Sequence, residues 1–200
     1  MSSTDPLDPR PTLRRAVLLY RLTPRWLRDS FDTLFSAIIR FHWRSKSNGL
    51  LRHKGIFLSV EGPNAELSEA RLKAAIDVLA AGESTYLRWL HNALPVFEAN
   101  PLTFRVPMIP NYRAGVATFN PISIWRVSAE ELAVLLVAAS TKGRLMRPFG
   151  LRRTWAARAN RRALTEALSF ARRLPGAHPL VLDWEGRLRA FDKAHPHVAA

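Results

Sequence analysis

Cysteine is absent from the 200 residues. That excludes disulfides, thiolate nucleophiles and any zinc site built on Cys. Long apolar runs are absent too: none approaches the roughly 18 residues needed to span a bilayer. There is no Gly-x-Ser-x-Gly and no phosphate-cradling glycine loop, so common hydrolase and nucleotide signatures are missing. The six histidines are scattered, and no two stand at i, i+4 on an expected helix. His195-Pro-His197 is a weak chelating pair in the tail, and His91 reads as a packing or surface residue. No signal peptide is visible at the start of the chain, where "MSSTDPLDPRPT" is polar and Pro-rich. The expected location is cytoplasmic, with peripheral contact to a membrane through the basic faces.

Acidic residues are also scarce. Sixteen Asp and Glu face thirty Lys and Arg, a net charge of +14. Residues 1–54 carry eleven basic and four acidic side chains, and residues 142–173 carry ten and one. Two basic blocks therefore flank a nearly neutral middle. Such blocks suit phosphate, whether in nucleic acid or in anionic lipid, and they also suit a merely solvated surface.

Apolar residues make up 48% of the chain, a globular composition with enough material for one core. Residues 25–43 put Leu27, Phe31, Leu34, Phe35, Ile38 and Phe41 on one stripe at helical spacing. This basic amphipathic helix can pack on a domain or lie on a membrane. "SKSNGLLRHKG" reads as a loop and "IFLSVEG" as a strand. Ser68 and Ser84 introduce two helices, the first with Leu72, Ile76 and Leu79 inward. Residues 102–125 mix β-formers with Pro107, Pro110, Gly115 and Pro121, the pattern of short strands broken by turns. Ser128-x-x-Glu131 is a capping box before a helix expected over 129–146. An Arg-rich helix is expected over 151–173, and "HPLVLDWEGRLRAFD" as a further strand.

The helix opened by the capping box reads "ELAVLLVAASTKGRL" from Glu131 to Leu145. This text resembles the helix of bacterial zincin-like proteins, in which "ELA-x-x-LVHEATH-x-RL" carries a His-Glu-x-x-His motif. Further on, "FARRLPG" from Phe170 to Gly176 resembles the end of the family's next helix. "RHKGIFLSVEGP" resembles its first strand. The resemblance spans about residues 50–176. It implies a zinc held by two histidines one helical turn apart, a Glu acting as general base, and a third ligand on the later helix. Here the corresponding positions hold Ala138, Ala139 and Lys142, with Asn160 as the candidate third position. Alanine offers no ligand and lysine is a cation, so neither a metal nor any other cofactor is expected.

The resemblance thus implies an α+β fold. Its core is zincin-like, a small and mostly antiparallel sheet with packed helices, preceded by the N-terminal amphipathic helix. The expected division is a disordered lead over 1–12, a basic helical extension over 13–48, the domain over 50–190 and a frayed tail over 191–200. The expected function is non-catalytic. A remnant cleft would hold a polypeptide or protein partner along an edge strand at 114–120, with basic faces toward an anionic membrane. Two alternatives stay open. Arg144, Arg152, Arg153, Arg158, Arg161 and Arg162, with Trp155 nearby, suit a nucleic-acid-binding module. The adjacent alanines also suit an engineered His-Glu to Ala-Ala form of a zinc peptidase.

Overall fold

The computed structural model describes residues 50–61, 64–99, 108–146 and 153–199, together with Leu34 and Ile38. The latter two are helical and exposed. The rest of the expected extension, and the lead before it, lie outside the described residues.

The fold is α+β. Among the described residues five short strands form one mixed sheet in the order β1-β2-β3-β5-β4. The strands are β1 (Leu51–His53), β2 (Ile56–Val60), β3 (Val96–Ala99), β4 (Met108–Asn111) and β5 (Val116–Phe119). β2, β3 and β5 are parallel to one another, while β1 and β4 run antiparallel at the two edges. The sheet is therefore mixed, not mostly antiparallel. The parallel centre follows from a helical crossover. Helices α1 (Ala65–Gly82) and α2 (Ser84–Ala93) join β2 to β3, and a return through helix permits parallel pairing.

Local chemistry explains the hairpins. Part of the expected loop at 45–55 is strand β1. Lys54 and Gly55 both have positive φ, 45° and 88°, as a two-residue primed turn demands. In the β4–β5 turn, Gly115 takes φ 74° and donates its N–H to the Asn111 carbonyl at 2.9 Å. The Asn111 side chain accepts from the Ala114 N–H at 3.0 Å. Asn120 caps a short helix, α3 (Pro121–Arg126), by accepting from the Ile122 N–H at 3.0 Å. Asn-Pro was a helix start inside a region expected to be strand and turn.

Strand alternation sorts the sheet's two faces. Leu58, Phe97 and Ala117 stand in register and face the helices. Phe57, Val96 and Val116 stand in register one residue earlier and belong to a smaller cluster on the other face. The main core is completed by α1, α2, and helices α4 (Ala129–Met146) and α5 (Arg153–Ala171). Leu72, Ile76 and Leu79 of α1 are fully buried, as their spacing predicts. α4 lies at the centre and packs on α1, α2 and α5. Ser128 accepts from the Glu131 N–H at 3.1 Å to start it.

The stretch expected as a last strand is helix α6 (His178–Ala194), followed by one short turn of helix, α7 (Pro196–Ala199). Pro179 sits in its first turn, and Trp184 is its buried anchor. Asp192 accepts from Arg161 at 2.8 Å, and the His195 ring stacks on Phe191 with centroids 4.3 Å apart.

Two helical glycines make opposite predictions. A Cβ on Gly143 would come within 2.6 Å of the Ala93 Cβ and 2.9 Å of the Tyr112 ring. Around Gly186 nothing lies within 4 Å. Alanine gains about 1 kcal/mol of helix propensity over glycine, whereas overpacking costs about 1–3 kcal/mol. Urea unfolding should therefore show Gly186→Ala more stable than the parent and Gly143→Ala less stable.

Candidate functional site

One cavity of about 290 Å³ collects Ala138, Ala139, Lys142 and Asn160. Each wall is a single face of its element. α4 contributes Leu135, Ala138, Ala139 and Lys142, at spacings of three, four and seven. α5 contributes Asn160, Ala163 and Leu164, and α6 contributes Trp184, Arg187 and Phe191. The fourth wall is β4 and the turn after it, where Met108, Pro110 and Tyr112 alternate toward one side. Among the described residues β4 pairs only with β5, so the cavity opens beside a sheet edge. The edge expected at 114–120 is β5, which lies inside the sheet between β3 and β4. The edge strand is the one before it.

The cavity is small-walled where the resemblance places ligands. Ala139 is buried and Ala138 half-buried, so neither fills the space. Lys142, one turn along, is half-buried, and burial lowers its pKa. Tyr112 has its phenol pushed well above the ordinary value by burial. Its hydroxyl and the Trp184 indole N–H are buried without a hydrogen-bond partner among the described residues. Both are wall residues that the sequence reading missed. Trp184, Arg187 and Phe191 recur at helical spacing and were hidden by taking 178–192 as a strand.

Two alanines, a lysine and an asparagine do not make a zinc site. Zinc needs imidazole, thiolate or carboxylate donors, and a cation at the second position opposes it. Among the described residues no three His, Asp or Glu side chains come together to hold a metal. His195 and His197 have ring centroids 6.2 Å apart, and the His195 Nδ1 is engaged with the Phe191 carbonyl at 3.1 Å.

Three of the candidate binding arginines already have partners. Arg161 is paired with Asp192, Arg162 with Glu166, and Arg144 lies over the Trp89 ring at 4.2 Å. Arg158 is exposed. Arg152 and the side chain of Arg153 lie outside the described residues. A larger cleft of about 420 Å³ lies elsewhere, lined by Ser128, Glu130, Glu131 and Asp183. Two of its three acidic groups are already engaged, and burial raises the pKa of the third, Glu131. Glu130 is held below the usual carboxylate value by hydrogen bonds to its own backbone and to Ser128. Asp183 binds Arg187 at 2.7 Å.

No family model, curated protein or solved structure matches this chain.

The lysine provides a direct check on the cavity's polarity. Its folded pKa lies below the ordinary 10.5. Between those values the unfolded chain binds more protons than the folded one, so stability rises with pH through that window. Lys142→Met should be more stable than the parent at pH 7, and the gap should shrink as the pH rises toward 10. Chemical unfolding of both proteins from pH 7 to 9.5 measures it, since contributions from other groups cancel in the difference.

Proposed function

We propose that this chain is a catalytically inactive, zincin-like protein that acts by binding a polypeptide in a remnant cleft. One observation carries the reading. The positions that resemble a metal motif, chosen from the sequence, lie on the walls of one cavity beside an antiparallel edge strand. An edge strand is where an extended polypeptide adds by backbone hydrogen bonds, and the adjoining cavity takes its side chains. Without metal ligands or a general base, the cavity has no means to activate water. What remains is a shaped apolar recess with one desolvated cation.

The nucleic-acid reading is weaker on the same geometry. Arg161 and Arg162 are committed to Asp192 and Glu166. Phosphate would have to compete with these carboxylates.

Two measurements test the proposal. Full-length protein is incubated with a random decapeptide library, and retained peptides are sequenced. The expected result is a retained subset, uncleaved, that is lost when Ala138→Trp fills the cavity. Cleavage of the library, or equal retention by the filled variant, sinks the binding reading. The zincin relation has its own check. Ala138→His, Ala139→Glu, Lys142→His and Asn160→Glu together should bind one zinc per chain after dialysis. The first two changes alone should bind none, because Lys142 stays. A quadruple variant that takes up no zinc would argue against the relation.

A further inference from the structure

The cavity's polar lining has one sign. Among the described residues it carries Lys142 and Arg187 and no carboxylate. Arg187 is tied to Asp183. Lys142 is half-buried, burial lowers its pKa, and among the described residues no carboxylate pairs with it. A partly desolvated, unpaired ammonium is costly, and an incoming anion recovers that loss. The surrounding wall is apolar, made by Met108, Leu135, Leu164 and Phe191. A ligand that satisfies both features carries a negative charge on an apolar body.

The edge strand narrows the choice. β4 is four residues long, and Pro110 within it has no N–H to give to either neighbour. A long added strand would find few ladder partners here. Affinity must come from what enters the cavity. A chain end brings its own carboxylate, which an internal segment lacks unless it is acidic.

We infer that the cavity receives the C-terminal end of a polypeptide. The terminal carboxylate sits on the Lys142 Nζ, and the last apolar side chains lie against Leu135, Leu164 and Phe191. This rests on the reading of the cleft as a polypeptide site, but not on the zincin relation.

The probes are N-acetylated random decapeptides made both as C-terminal acids and as C-terminal amides. Retention of each form by the unaltered protein is compared, so the central comparison needs no variant to fold. A charge-assisted contact predicts a preference for acids of about 10- to 100-fold. Lys142→Met should erase the preference, with thermal melts confirming that the variant is folded. Acids and amides retained alike, and both lost from Ala138→Trp, would overturn carboxylate anchoring and leave the cleft reading standing. Retention of neither form overturns both. Octanoate binding as tightly as the acid peptides would also overturn the chain-end inference, because any apolar carboxylate would then serve and the polypeptide would add nothing.

Discussion

The burial of α4 is the constraint on which the rest of the structure depends. Leu132, Ala133, Val134, Leu136 and Val137 are fully buried, so this helix is wrapped on several sides at once. Burying its four larger apolar side chains contributes about 6–12 kcal/mol by transfer values, an upper estimate. That is comparable to the whole stability of a typical domain, about 5–15 kcal/mol. α1, α2 and α5 hold their places by packing on it. Gly143 permits the closest of these approaches, bringing Ala93 and the Tyr112 ring against the helix backbone.

That same burial produces the cavity. A helix enclosed by neighbours presents only a narrow outward stripe, here Leu135, Ala138 and Lys142, all half-buried. Alanine at 138 and 139 leaves the stripe shallow. β4 then passes on one side, and α5 and α6 close the others. The lysine is desolvated because the elements around it supply apolar walls and no carboxylate. Its unusual electrostatics is thus a product of packing. Arginines nearby on α5 lie in a different environment, where Glu166 and Asp192 neutralise them.

Much of the helical architecture was legible because periodicity is local. The span of α4, its Ser128 cap and the inward face of α1 all follow from residues within a few positions of one another. The grouping of Ala138, Ala139 and Lys142 follows from helical spacing alone. Asn160 was placed by resemblance to a later helix, and it does line the same cavity. Misreadings occurred where local signals compete. In "HPLVLDWEGRLRAFD", Pro179 and Gly186 look like breakers, yet proline belongs in a first helical turn and Gly186 faces open space. The edge was assigned one strand too late, because two adjacent strands of similar length cannot be ranked without knowing their partners.

By itself, the sequence determined that cysteine chemistry is absent, that the charge is strongly positive, and that the stretch resembling a metal-binding helix carries no zinc ligand. These depend only on which residues are present and how they repeat along the chain. Tertiary structure alone decided the mixed pairing of the sheet and the identity of its edge. It also brought Tyr112, Trp184 and Phe191 to the walls of the site, and it placed no carboxylate of the described residues beside Lys142. Each of these is set by contacts between residues far apart in the chain, and local spacing holds no record of them.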